Sequence, residues 1–366
     1  MAGHPFKPVT QKFLTFYMRR DEVDYKKGVE TDWYIKKAKK NIDGLEELHI
    51  DDYFDVQHKY LAVCNDDKNF FSSVDTREEI DDFQRIGGTS SYIGREGIEF
   101  YPQELMAFQL ADMPGTKTRT CLKNMQNKKS KYKLPERSVL LETKYLHPMV
   151  KGKDITPFHV EFDNYIVPFP YEKRNPRVPI EMKRLSRVAP QLAKYYNDNK
   201  KLILNQTEYN ERIIGQNNAD FYALARVGEY SYAKNYVVFR DNTKWAAAVI
   251  REVDTSWGGK KRPLFQNHAV SICEDIDGNY ITLNEAHYIC GIMNSKVVYD
   301  YMMQSSDSRS FPIRPRIRIP KFDKENKIHM EIAKLSKKAH KNFNDPTVIE
   351  SIKENLSKYY LKILSE

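Results

Sequence analysis

Two groups of side chains in this sequence are typed and spaced for chemistry, and both are cationic. From Lys117 to Arg137 there are eight lysines and arginines against one acid, Glu136. Lys117, Arg119, Lys123, Lys128 and Lys129 are placed to clamp phosphates, the contacts that supply most nucleic-acid affinity. The second group, Arg309, Arg314, Arg316 and Arg318, lies in "SRSFPIRPRIRIPKF". Its closely spaced prolines forbid helix, so the segment is extended and alternate side chains face opposite ways. Ile313, Pro315, Ile317 and Ile319 then face the core. Arg314, Arg316 and Arg318 face outward in a row roughly 6–7 Å apart, close to the phosphate spacing of one strand. Arg309, a few residues earlier in "SSDSRS", is positioned to reach a groove. The competing use of the row is ion pairing, with Asp275 or Glu285 as partners.

The net charge of +9, from 59 basic against 50 acidic residues, favours an anionic partner, nucleic acid first and membrane surface second. Further cations, Lys151, Lys153, Arg226, Lys234, Lys260 and Lys261, fall in the β-rich middle of the chain and join the candidate DNA-binding set.

Enzyme signatures are sparse. There is no Gly-rich phosphate loop, dinucleotide fingerprint, clustered His/Cys metal set or nucleophile elbow. "LETK" offers Glu142 and Lys144 at a spacing seen in metal-dependent nucleases, with Asp112 as the nearest upstream acid. The same E-x-K triplet recurs at Glu181–Lys183 and Glu325–Lys327, so its specificity is low. His147, His159, His268 and His287 read as hydrogen-bonded or surface imidazoles. Cys64, Cys121, Cys273 and Cys290 form no C-x-x-C pair and read as reduced thiols of a cytoplasmic protein. The N-terminus has no apolar signal region, and no apolar run approaches the ~20 residues of a membrane helix. No membrane partner is expected.

The elements that must position these groups read as an α+β fold: a mixed or antiparallel sheet region with long helices and a C-terminal helical pair. Thr31–Leu48 reads as a helix, as does "DTREEIDDFQRI" with Asp75 as its N-cap. A strand ends near Leu110. Residues 115–137 form a surface loop or a pair of strands with a basic tip, and 138–180 several short strands. A helix over 179–205 is interrupted at Pro190. "HAVSICEDIDGNYITL" is a strand, a D-G turn and a strand. A helix then starts at Leu283 behind a capping box, Thr282 with Glu285. Ala286, Ile289, Cys290, Met293, Val297 and Tyr301 give it an apolar face, and Asn294 and Ser295 stop or bend it. Asp345 caps the last helix, with Pro346 at its first position.

Several segments together resemble one family. "SSYIGREGIEFYPQELMAF", "KYLHPMVKGKDITPF", "YIVPFPY" with "APQLAKYYNDNKKLI", "FYALARVGEYSYAKNYVVFRD", "EAHYICGIMNS" and "IRIPKFD" resemble, in order, the C-terminal target-recognition region of adenine-N6 DNA methyltransferases. The likeness is strongest to fused type IIG restriction–modification enzymes and more distant to type I specificity subunits. It spans about residues 86–342, each motif weak alone and the order and spacing more specific. The family's Asn/Asp-Pro-Pro-Tyr/Phe motif, which grips the flipped adenine, is missing, since the chain has no Pro-Pro pair. The resemblance therefore implies a DNA-reading subunit or fragment without the catalytic domain. It implies double-stranded DNA and a methyltransferase catalytic subunit or domain as partners, with no cofactor on this chain and S-adenosylmethionine on the catalytic partner. The alternative is a restriction endonuclease subunit acting in its own right. The implied division is 1–85 as an N-terminal α/β segment or docking region, 86–322 as the target-recognition domain and 323–366 as the helical pair.

Overall fold

Three strands open the fold: Val29–Lys36, Phe54–Val63 and Phe71–Val74 form an antiparallel sheet in that order. The computed structural model describes residues 23–37, 49–65, 71–125, 134–205, 219–306 and 309–366. The helix expected over Thr31–Leu48 is corrected, because Thr31–Lys36 is strand, paired residue for residue from Thr31↔Lys59 to Lys36↔Phe54. Thr31, Trp33, Tyr34 and Ile35 are β-branched or aromatic, and such side chains suit a pleated surface. The rest of that expected helix, 38–48, lies outside the described residues. The next helix, Glu78–Ile86, starts later than expected. Asp75 is not its cap. Thr76 Oγ1 accepts from Glu79 N–H (3.4 Å), and Glu79 Oε2 accepts from the N–H groups of Asp75 (2.8 Å) and Thr76 (3.3 Å), the reciprocal bonding of a capping box.

The chain is α+β, with helices packed on mostly antiparallel sheets. One core forms around a four-stranded sheet, in the order Ala247–Ile250, Tyr236–Arg240, Ala269–Asp275, Tyr92–Arg95. Helices Leu283–Met293, Lys296–Ser305, Lys327–Lys341 and Pro346–Ile363 pack around it, burying Ile289, Ile292, Tyr301, Ile332, Leu356 and Tyr360. Ile80, Phe83 and Ile86 join the same cluster, and Phe83 meets the Tyr301 ring edge-on at 5.3 Å. The N-terminal and C-terminal segments thus share one core. A second core lies under a six-stranded sheet, ordered Leu264–Phe265, Leu146–Val150, Ile166–Pro168, Phe108–Leu110, Arg119–Asn124, Ser138–Glu142. Helices Met182–Val188 and Pro190–Asp198 cover it, with the expected break at Pro190.

The helix at Leu283 carries the expected capping box, with Glu285 N–H bonded to Thr282 Oγ1 (3.3 Å) and Thr282 N–H to Glu285 Oε2 (3.1 Å). It stops at Asn294–Ser295, and a new helix begins at Lys296. Asp345 Oδ1 caps the last helix by accepting from Val348 N–H (3.1 Å). After Ala269–Asp275 the expected second strand shrinks to one bridge, Glu274↔Tyr280, beyond the turn at Gly278. Among the described residues no helix is long and apolar enough to cross a membrane. The four cysteines are buried free thiols.

The buried histidines are structural. His340 Nε2 accepts from Val249 N–H (2.9 Å), so its proton sits on Nδ1, which donates to Ser336 O (2.8 Å). His287 packs edge-on against that ring at 4.8 Å, with Nδ1 3.2 Å from Ser336 Oγ. Burial lowers the His287 pKa to about 3, helped by the neighbouring His340. Burial does the same to His147, helped by Arg262; its Nδ1 lies 2.9 Å from Arg262 O. Both rings stay neutral in the fold but take up protons once unfolded, below pH of about 6.5. Stability is therefore complete above that value and is lost as pH falls towards 3. Each ring adds a slope of up to about 1.4 kcal/mol per pH unit. Urea midpoints measured down from about pH 7 to about pH 5 should drop, and replacing His287 by Asn should flatten the fall. Parallel curves for the two proteins would exclude His287 as a cause.

Candidate nucleic-acid interface

The basic segment is built as a pair of strands rather than a free loop. Arg119–Asn124 and Ser138–Glu142 run antiparallel at the outer end of the six-stranded sheet. Lys123 is within the first strand, opposite Ser138 on one side and Gln109 on the other. Lys128 and Lys129 lie outside the described residues. At the other end a tight turn, Thr116 N–H to Arg119 O (2.7 Å), exposes Lys117.

Two contacts fold distant cations onto this edge. The hairpin of Val253–Thr255 and Gly259–Lys261 docks on it, with Thr120 Oγ1 donating to Trp257 O (3.1 Å) and Lys261 Nζ to Thr143 O (2.5 Å). Thr143 in turn donates from N–H and Oγ1 to Thr118 O (3.0 Å each). The three stretches that carry Lys117, Arg119, Lys144, Lys260 and Lys261 are thus brought to one edge, with Lys260 on the face of the hairpin opposite to Lys261. Lys117, Lys144 and Lys260 are exposed. Lys261 acts as the hairpin's anchor, and burial lowers its pKa. Lys144 carries no sequence signal for phosphate binding, because its only visible pattern is the triplet with Glu142.

That triplet is used for folding. Glu142 is buried, and its two carboxylate oxygens accept from Gln191 N–H (2.9 Å) and Leu192 N–H (3.0 Å). These are first-turn amides of helix Pro190–Asp198, which otherwise lack partners. Arg119 Nε lies 3.9 Å from the same carboxylate. Asp112 is exposed in the neighbouring turn, and among the described residues no group of three His, Cys, Asp or Glu could hold a metal ion.

The other candidates are scattered over different surroundings. Lys151 and Lys153 hold their ammonium groups over the Tyr165 ring at 4.0 and 5.2 Å, a cation–π pair. Burial, with Lys153 adding to it, lowers the Lys151 pKa to about 8. Arg226 is an internal brace, pairing with Glu96 and Glu99 at 2.8 Å each from a backbone at φ 61°. Lys234 is exposed in the loop before Tyr236–Arg240.

The arginine row alternates as expected at its C-terminal end. Pro315, Ile317 and Ile319 are buried, Arg314 is exposed, and Arg316 and Arg318 are half-buried. Ile313 is only partly buried. Backbone bonds fix the segment: Arg318 N–H to Ile86 O (2.8 Å), Ser91 N–H to Ile319 O (2.9 Å) and Tyr301 OH to Arg316 O (3.1 Å). The Arg318 side chain lies flat on Gly88, where a Cβ would come within 2.7 Å of its Cγ. The two acids considered as partners for the row are otherwise engaged. Asp275 pairs with Lys321 (2.5 Å), and Glu285 accepts from Tyr92 OH (2.9 Å). Arg309 is described but does not sit in a regular element.

No protein-family model matches the chain, and no curated protein matches it.

Proposed function

We propose that this chain reads double-stranded DNA as the specificity part of an adenine-N6 methyltransferase restriction–modification system, working with a catalytic subunit or domain that binds S-adenosylmethionine. The observation that carries the reading is the convergence of Lys117, Arg119, Lys144, Lys260 and Lys261 on one sheet edge. Clustered cations on one face are the electrostatic footprint of a polyanion site. The exposed Arg314 beside Arg316 and Arg318 supplies a second candidate contact row. The order of the family-like motifs supplies the methyltransferase context. Glu142, the acid on which a nuclease reading rests, already caps a helix, which favours a chain that reads rather than cuts.

The test is duplex binding followed by anisotropy across a salt series. Affinity should fall linearly with the logarithm of salt, with a slope of about −0.9 for each phosphate neutralised. Affinity that ignores salt would sink the reading. Calorimetry should find no S-adenosylmethionine binding by this chain alone. Arg226→Ala is the internal control: it should cost about 1 kcal/mol of stability, because the pair is partly exposed, and leave the salt slope unchanged.

A further inference from the structure

The four-stranded sheet ends in a loop that the proposed DNA-reading edge does not use. Strand Tyr236–Arg240 delivers Arg240 there, and the chain returns through Asn242, Thr243 and Lys244 to Trp245. Thr243 sits at φ 63°, a conformation rare for a β-branched residue and typical of sites where backbone geometry is held for a purpose. Arg240 Nη2 donates to Thr243 Oγ1 and holds it there.

Arg240 and Lys244 line a cavity of about 470 Å³. The Arg240 Nε–H is buried without an acceptor. Among the described residues neither Arg240 nor Lys244 pairs with a carboxylate. Two further cations in the wall, Lys296 and Lys353, are each neutralised, by Asp300 (2.7 Å) and Glu350 (2.7 Å). The cavity therefore keeps about two positive charges in excess. The ten-residue helix Lys296–Ser305 also begins at this wall, but its first-turn Val297 N–H is taken by Ser357 Oγ (3.1 Å) and the charge excess comes from the side chains.

We propose that this cavity binds a phosphoryl group, with Arg240 and Lys244 as its donors. A planar guanidinium matches phosphate oxygens, and a lysine on an adjacent loop adds a mobile point charge. The group comes either from a DNA backbone or from a free phosphorylated small molecule. The site stands on its own geometry, independent of the proposed DNA-reading edge.

The experiment uses the full chain with inorganic phosphate, AMP and a short duplex as probes, on wild type, Arg240→Gln and Lys244→Met. At matched ionic strength, phosphate should raise the wild-type melting midpoint above that in chloride, since a ligand of the folded state stabilises it by mass action. In both variants that rise should shrink by at least about fivefold. Lys244 is exposed on its loop, so its variant folds even if Arg240→Gln does not. A DNA source is indicated if Lys244→Met weakens duplex binding about threefold to tenfold and lowers the salt slope by about one, with AMP no better than phosphate. A free-nucleotide source is indicated if AMP stabilises at about tenfold lower concentration than phosphate and duplex binding is unchanged. An equal phosphate rise in wild type and Lys244→Met, with unchanged duplex affinity, overturns the site.

Discussion

Replacing Lys117, Arg119, Lys144 and Lys260 together by alanine should shrink the fall in duplex affinity between 50 and 200 mM salt by about two orders of magnitude. Each phosphate contact contributes about −0.9 to the slope of log K against log salt. Four contacts give a slope share of about −3.6, which between 50 and 200 mM salt is a factor of about 150. The quadruple variant should fold, because these side chains point from a sheet edge whose backbone bonds do not involve them. Arg119 has a long contact with Glu142 at 3.9 Å, but Glu142 keeps its two amide partners when the arginine is gone. Lys261 is left in place because its ammonium ties the hairpin to Thr143. Lys261→Met alone should move the hairpin and therefore lower stability as well as affinity. The measurement is anisotropy over the full salt series, with circular dichroism to verify the fold. A quadruple variant with the wild-type slope would remove this edge from the interface, whatever its affinity at one salt concentration.

The same patch shows what was legible in the sequence. Lys117, Arg119, Lys260 and Lys261 stand out by charge, but nothing in their order says that they meet. That depends on Thr120 reaching Trp257 O and Lys261 reaching Thr143 O, contacts across 137 and 118 residues. Local patterns fared better. The capping box at Thr282, the break at Pro190, the Asp345 cap and the alternation at Arg314–Ile319 rest on neighbours in sequence, where spacing and backbone chemistry decide. The first part of the helix expected over Thr31–Leu48 is strand instead, because the pairing of Val29–Lys36 with Phe54–Val63 overrode the local helix pattern. Arg226 looks like a free cation in sequence, since Glu96 and Glu99 lie 130 and 127 positions away.

Asn294→Leu should destabilise the protein by about 1–3 kcal/mol, because the buried Ala247 N–H loses its acceptor, while Ala247 O keeps the bond from Phe158 N–H (2.9 Å). The Asn294 side chain works as one residue of an extra strand. Its Nδ2 donates to Ala247 O (2.7 Å), and its Oδ1 accepts from Ala247 N–H (3.0 Å), all buried. Next to it Trp245 Nε1 donates to Met293 O (2.7 Å). The end of the Leu283 helix is thereby fastened to the edge of the four-stranded sheet. Asn294→Asp separates hydrogen bonding from volume. The carboxylate keeps the acceptor for Ala247 N–H but faces Ala247 O with charge, so its pKa rises in the fold. A raised carboxyl contributes stability below its unfolded value of about 3.9 and loses it as pH rises. The aspartate variant should therefore be less damaged in acid than at neutral pH, relative to wild type. The leucine variant should show the same deficit at both. Urea unfolding at the two pH values decides it. Equal deficits for aspartate and leucine at both would mean that the amide fills space without binding Ala247. Because helix Lys296–Ser305 starts two residues later and leads to the arginine row, any folded variant with a loosened junction should also weaken duplex binding through Arg314, far from the altered residue.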